Sequence, residues 1–422
     1  MHLIASGFAD DPEKFNLTTL YTRIMFPYLM MMSLVGLMSG ILNSLGKFAA
    51  AAAAPLALNI CLIIGIIIFA DAETPVVGEA AAWAVFAGGI AQLAIVVIGA
   101  ARQGYLLRLR IPRLTPDVKR LLALGAPGFI SAGAVQINLI IGTNIASREP
   151  GAVSWLMNAD QLYQLPLAVI GIALAVVLLP MLSKRVKEGD ERGAASALNR
   201  SLEVSALLCF PAAVAFVILG APICNALFRD LATDALSLFG ARASKFTEHD
   251  VAMTGAALAM FGWGLPAFVW HKIFSPAFFA REDTRTPMNY ALISIAINTV
   301  MALALFPSIG FLAVPISTAF AAWLQVGLLA QKLYRQKYFS PSAHLTSRLI
   351  RIMLASAGLG VFLLALEPYT DLMTQIFWGR QWIAIIAIAT IGMVAYGGFA
   401  LAFGAARMSD YKSLLKSSNG DA

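Results

Sequence analysis

The sequence predicts an all-α polytopic membrane protein of about eleven transmembrane helices, and three observations carry that prediction. First, 59% of the 422 side chains are hydrophobic and only 13% are charged, about half the share that covers a soluble domain. Second, the mean hydropathy is +0.77. Third, apolar residues gather in runs long enough to cross ~30 Å of hydrocarbon as helices of about 20 residues. Period-2 alternation is absent and the runs exceed barrel-strand length, which excludes a β-barrel.

The runs fall in order at 21–45, 50–70, 78–101, 121–147, 152–182, 200–220, 250–280, 288–306, 310–331, 350–366 and 382–406. The first twenty residues carry Asp10, Asp11 and Glu13 and lack a basic-flanked apolar core, so they read as an exterior loop and not as a cleavable signal. The second run holds Pro55 and Asn59, the fourth Gln136, Asn138 and Asn144, and the fifth Asn158, Asp160, Gln161 and Gln164. The seventh contains His271 and Lys272, the eighth Pro287 and Asn298. The first three runs and the seventh to ninth share a plan: an exterior Lys-Phe pair (Lys14-Phe15, Lys245-Phe246), a long helix, a Pro-and-Asn helix, then a helix ending in a basic linker. Internal repeats of this kind are common in transporters. The chain divides into 1–120 (three helices and a basic linker), 121–340 (a six-helix lobe) and 341–422 (two further helices and a tail). Set against the repeat, the order reads as though a triplet preceding the first helix is missing.

Charge orients the bundle. Of 30 basic residues, 22 fall after odd-numbered helices or in the C-terminal tail, 7 on the opposite side and Lys272 within a helix. The positive-inside rule makes the first set, and the C-terminus, cytoplasmic. The net charge of +7 is thereby a matter of topology, and nucleic acid is not an expected partner. The linker 103–120 mixes leucines with arginines as an interfacial segment on an anionic leaflet does. Three cysteines and four histidines without metal-ligand spacing give neither a disulfide scaffold nor a metal site. No phosphate-binding loop is present, so no cofactor and no enzyme activity is expected, and transport would draw on an ion gradient or membrane potential.

An ionisable group at the bilayer centre normally faces a cavity. On the fifth helix, Gln161 lies within about 60° of Asn158 and Gln164, with Asp160 to one side. This stripe lines a cleft or makes interhelical hydrogen bonds, and the same two readings hold for Gln136, Asn138 and Asn144. Lys272 either snorkels toward the inner interface or holds a gate. Arg281, Asp283, Thr284 and Arg285 form a short inner loop, where an Arg-Asp pair with Thr284 and Thr286 would tie two helix ends.

The stretch Lys272-Ile-Phe-Ser-Pro-Ala-Phe-Phe-Ala-Arg281-Glu-Asp283-Thr-Arg-Thr-Pro287 resembles the signature loop of the MurJ (MviN) lipid II flippase family of the MOP exporter superfamily. Further matches follow in order: Phe8 and Asp10, Phe26-Pro27-Tyr28, Gly40 to Asn43, Pro55 with Asn59, Trp155-Leu-Met-Asn-Ala-Asp160, Leu165-Pro166 and Leu179-Pro180. The resemblance implies a MOP/MATE-like helical bundle of fourteen helices, of which these eleven are similar to the fourth to fourteenth. It also implies a central cleft worked by alternating access in the bacterial cytoplasmic membrane. The substrate implied is lipid II, the undecaprenyl-pyrophosphate-linked disaccharide-pentapeptide, with membrane lipids and cell-wall synthesis proteins as candidate partners. A related exporter of drugs or lipid-linked oligosaccharides, or a non-transporting fragment, are the alternatives. The family's cleft places an arginine where this chain has Gln161 and commonly a glutamate where it has Gln164, which puts anion binding through this helix in doubt.

Overall fold

The computed structural model describes residues 6–70, 72–104, 136, 138–237, 246–377 and 379–405, with Pro116 and Lys119. Among these every regular element is helical, and the chain is a multi-pass membrane protein. Most of linker 103–120, residues 121–135, Arg242, Lys245 and the tail with Arg407, Lys412 and Lys416 lie outside the described residues. The described residues form two compact units. One draws on 1–128 with Ala232–Ser237, the other on 129–231 and 245–422.

In the first unit the chain is helical earlier than its hydropathy predicts. The Asp11 carboxylate accepts hydrogen bonds from the N–H groups of Glu13 and Lys14, both 3.1 Å, and Pro12 occupies the first turn, where no N–H is needed. Helix α1 (Pro12–Met25) therefore starts inside the segment read as an exterior loop. The polar first turn, not hydrophobicity, sets that start. Phe26 keeps helical angles, so α2 (Pro27–Ser44) continues the span. Next come α3 (Phe48–Ile68) and α4 (Thr74–Ala101), the three packing around Val35, Met38, Leu42, Ala54, Val96 and Ala100.

The second unit holds α5 (138–146), α6 (Ala152–Pro166), α7 (Ala173–Lys187) and α8 (Glu191–Cys224). A π-helical turn, Leu167–Ile172, joins α6 to α7 directly after Pro166. Proline cannot donate to the preceding turn and its ring crowds the carbonyl four residues back, so the helix widens there. A second π turn, Asn225–Leu231, follows α8 and leads to α9 (Ala232–Ser237), which groups with the first unit. Helix α8 begins well before the predicted position 200, because Asp190 caps it by accepting from the Gly193 N–H at 2.8 Å. Helices α10 (Glu248–Phe279), α11 (Arg285–Ile309) and α12 (Ala313–Arg335) follow. Then come α13 (Ala343–Leu366), α14 (Thr370–Ile376) and α15 (Gln381–Ala402).

Nine continuous helical stretches among the described residues are long and apolar enough to cross a membrane. One of them, Arg285–Arg335, contains both α11 and α12, separated at Gly310, whose φ of +59° only glycine adopts readily. Ten of the eleven predicted crossings are thus accounted for. The remaining one, predicted at 121–147, is described only at its end, as α5.

Helix α10 is the core of the second unit. It buries Leu258, Phe261, Leu265, Ile273, Phe274 and Phe278 and lies against α8, α12 and α6. Close approach to α8 rests on small residues: a Cβ on Gly255 would sit 2.6 Å from the Cα and N of Ala221. Gly255→Ala is therefore expected to force two helices apart and cost about 1–3 kcal/mol by overpacking. Gly327→Ala in α12, with nothing within 4 Å of the added carbon, should be neutral or slightly stabilising. Thermal unfolding of the two purified variants checks the contrast, and equal melting temperatures would show that the α8–α10 contact yields without cost.

Helices α13 and α15 are bound to α8 through polar contacts. Glu203 on α8 forms an ion pair with Arg348 on α13, the two side chains 14% and 17% exposed. Arg348 Nε also donates to the Ala405 carbonyl at 3.0 Å, which ties down the end of α15. The Tyr396 hydroxyl donates to the Leu207 carbonyl at 2.8 Å. At the other end of α15 the Trp382 N–H donates to Asp230 at 3.1 Å.

Candidate functional site

Helix α6 carries the polar stripe. Trp155, Leu156, Ala159 and Leu162 are buried, and the opposite face leaves Met157, Gln161, Gln164 and Leu165 exposed, with Asn158 and Asp160 half-buried. Gln164 donates to the Asp160 carboxylate, one helical turn away, and the Tyr163 hydroxyl lies against the same carboxylate. Tyr163 is fixed by ring contacts to Phe261 and Phe268 of α10, at 4.8 and 5.2 Å between centroids. Asp160 is thus held by Tyr163, which is itself locked against the core, and by the exposed Gln164, while Gln161 is left open. One end of α6 is anchored by Trp155, whose indole N–H donates to Asp250 at 2.7 Å. The other end widens into the π turn. There the stem of Lys272 runs beside Gly171, within 3.5 Å of where a Cβ would stand, and Lys272 itself is exposed.

The polar residues at 136, 138 and 144, in and before α5, divide. Asn298 on α11 donates to the Asn138 side-chain oxygen at 2.6 Å, and the Thr318 hydroxyl on α12 donates to Asn298 at 3.4 Å. Three helices are joined at this point, the hydrogen-bonding role open to intramembrane amides. Gln136 is exposed and Asn144 half-buried.

In the loop between α10 and α11 the arginine finds a partner other than the expected aspartate. Arg281 pairs with Glu191 at the start of α8, not with Asp283. It also donates to the Ala277 carbonyl at 2.7 Å and lies over the Tyr338 ring at 4.2 Å. Asp283 accepts from the Thr286 N–H at 3.0 Å and from its hydroxyl at 2.7 Å, capping α11, while Thr284 and Arg285 are exposed. Glu282, at φ +61°, turns the chain so that Arg281 and Asp283 point to different partners.

Partial burial of Asp283 works against its charge. The Thr286 hydroxyl and N–H, the Arg285 N–H and the Lys332 ammonium outweigh it and hold the carboxyl below its ordinary range. A carboxyl with a lowered native pKa stabilises the fold above its unfolded value of about 3.9, and the contribution is lost as pH falls through the native value. Asp283→Asn keeps an oxygen that can cap α11 but removes the charge beside the helix start and Lys332, and is accordingly expected to lower stability by roughly 0.5 kcal/mol at pH 7. The deficit should shrink as pH falls below about 4. Melting curves of both proteins across that range test it, and a deficit that does not change with pH would remove the carboxylate's charge as the cause.

Comparison with known proteins bears on the same residues. A family model described as lipid II flippase MurJ matches residues 1–392. The chain belongs to the MurJ family. It is 41% identical to the probable lipid II flippase MurJ of Rhizobium meliloti (strain 1021), over 95% of this chain and 73% of that protein. It is 42% identical to that of Rhizobium tropici, over 85% and 65%, and 35% identical to the lipid II flippase MurJ of Burkholderia cenocepacia, over 80% and 64%. The chain thus spans about two thirds to three quarters of the length of these relatives. Its fold is similar to that of a solved transporter of the MOP superfamily. An inward-facing multidrug resistance MATE family transporter superposes with a TM-score of 0.63 at 14% identity, over 80% of this chain and 77% of the other.

Within this MurJ-family fold, several contacts went unread in the sequence. Tyr163, which braces Asp160, looks like any aromatic in an apolar helix. Glu191, the partner of Arg281, stands ninety positions away with no local signal. The Glu203–Arg348 pair did carry one: two opposite charges within or beside apolar runs each require a partner, and pairing them would have placed α13 against α8.

Proposed function

We propose that this chain works in lipid II translocation, moving the undecaprenyl-pyrophosphate-linked precursor from the inner to the outer leaflet of the bacterial cytoplasmic membrane by alternating access. The observation that supports this reading best is the open polar face of α6. Two glutamine side chains exposed to acyl chains would lose their hydrogen bonds to water without replacement, so Gln161 and Gln164 belong in an aqueous cleft, with Asp160 beside them. The π turn that follows gives the helix a place to bend, and alternating access uses such broken helices around a central site. Gln136, preceding α5, and Asn144 on α5 are candidates for a second wall, whereas Asn138 holds helices together.

The charge pattern supports a cytoplasmic C-terminus, with Arg281, Asp283, Thr284 and Arg285 on the inner side. No bond-making step is assigned to any residue, and the driving force would come from an ion gradient or membrane potential. Cell-wall synthesis proteins remain candidate partners. The direct test is vesicles containing the protein and fluorescent lipid II, scored by access of the headgroup to an external quencher. Translocation above protein-free vesicles is expected, reduced in Asp160→Ala and Gln161→Ala. If both variants translocated as the parent does, α6 would be a packing helix and not a cleft wall.

A further inference from the structure

The first unit has a feature that the proposed transport does not use. Between α3 and α4 lies a hollow of about 600 Å³, lined by Cys61, Ile64 and Phe69 on one side and Glu79, Trp83 and Ala87 on the other, among others. The lining is apolar except for Glu79, which stands near one end, one turn inward of Val76 and Phe69. Glu79 follows the start of α4 at Thr74 by about 7.5 Å of helix rise, and Ala87 lies roughly 12 Å further along. One end of the hollow is therefore close to the membrane surface, and the rest runs inward along hydrocarbon. Trp83 sits between, half exposed and edge-on to Phe86, the kind of ring that stands at the interface and attracts cations to its face.

We propose that this hollow is a binding groove for a membrane aminolipid, seated with its primary ammonium on Glu79 and an acyl chain along Trp83, Ile64, Cys61 and Ala87. The polarity of the groove runs in the same direction as that of a lipid in its leaflet. A carboxylate at the edge of a low-dielectric region favours a cation close by, and an ammonium brings three donors and a positive charge together. A bare metal ion fits poorly, because one carboxylate among apolar walls supplies too few oxygen ligands. A lipid with an anionic headgroup would set like charges against each other. This groove is independent of the cleft on α6, and the proposal stands whether or not the chain moves lipid II.

A second hollow offers an internal control. It lies on α11, has a volume of about 400 Å³ and is lined by Ala296, Ile297, Val300 and Met301. It has no charged wall, so it should accept any acyl chain without regard to the headgroup.

The experiment places the full chain in nanodiscs of phosphatidylethanolamine and phosphatidylglycerol. Each lipid in turn carries a photoactivatable diazirine on its acyl chain, and crosslinks are mapped by peptide mass spectrometry. Crosslinks near Cys61 and Ala84–Ala87 are expected to be about fivefold more frequent from phosphatidylethanolamine, the order a partly exposed ion pair provides. Glu79→Gln should erase the preference, while crosslinks on α11 stay equal for both lipids and unchanged in the variant, which also reports that the variant is folded. Equal yields at the α3–α4 groove in the parent protein would overturn the proposal. So would a preference that survives Glu79→Gln, or the absence of crosslinks there with either lipid, which would mean that a protein segment or a second copy fills the groove.

Discussion

Glu203→Ala is expected to loosen α13 and α15 from the rest of the second unit and to destabilise the protein by roughly 3 kcal/mol, the cost of leaving one member of a buried ion pair without its partner. The reasoning is local. Glu203 and Arg348 are each less than one fifth exposed, so water replaces the missing carboxylate poorly, and the Arg348 guanidinium loses its charged acceptor while keeping its bond to the Ala405 carbonyl. The damage should be directional. The contacts of α10 with α8 and α12 do not pass through Glu203, whereas the docking of α13 on α8 does. A cysteine pair placed across α8 and α13 should therefore lose its crosslinking efficiency in Glu203→Ala, while a pair across α8 and α10 keeps it. Removing both charges with Glu203→Leu and Arg348→Met should recover much of the lost stability, since a well-packed apolar pair is often as good as a buried ionic one. If Glu203→Ala melted with the parent, the ion pair would be an incidental contact and the docking of α13 would rest on its apolar face alone.

What could be read in the sequence and what could not follow from the range of each interaction. Hydropathy locates a helix that must cross hydrocarbon, so α3, α4, α10, α11 and α12 lie close to their predicted runs. It is blind to polar turns added at helix ends, where capping by Asp11 and Asp190 extends α1 and α8 beyond the apolar core. The stripe on α6 was legible because helical spacing alone places Asn158, Gln161 and Gln164 on adjoining positions. In the loop between α10 and α11 the tie of Thr286 to Asp283 follows from local spacing, whereas the partner of Arg281 does not, because only the left-handed turn at Glu282 separates Arg281 from Asp283. The bond from Asn298 to Asn138 joins residues 160 positions apart, a pairing that only the packing of α5, α11 and α12 creates.

The largest functional effect is expected at Gln161. A cysteine there, modified with a bulky thiol reagent, should bring lipid II translocation down to the level of protein-free vesicles. A cysteine at Val300, exposed on α11 among apolar neighbours, should tolerate the same reagent. The two positions differ in what surrounds them: Gln161 shares its face with Gln164 as well as Met157 and Leu165, with Asp160 to one side, whereas Val300 lies with Ala296 and Ile297 beside a wholly apolar hollow. Loss at both would mean that the reagent harms the protein generally, and tolerance at both would place Gln161 outside the transport path. Gln161→Arg separates steric access from recognition. Glutamine donates hydrogen bonds but cannot offset the charge of a pyrophosphate, whereas a guanidinium presents a planar fork to it. Asp160 next in sequence would keep the new arginine from standing as an unpaired charge in the membrane. A hydrogen bond to a charged group contributes about 1.5–3 kcal/mol, so the half-saturating concentration of lipid II should fall by roughly an order of magnitude or more. A neutral undecaprenyl lipid should show no such gain. Unchanged or weaker dependence on lipid II in this variant would mean that the pyrophosphate never meets this face of α6, and that the headgroup is held by other groups.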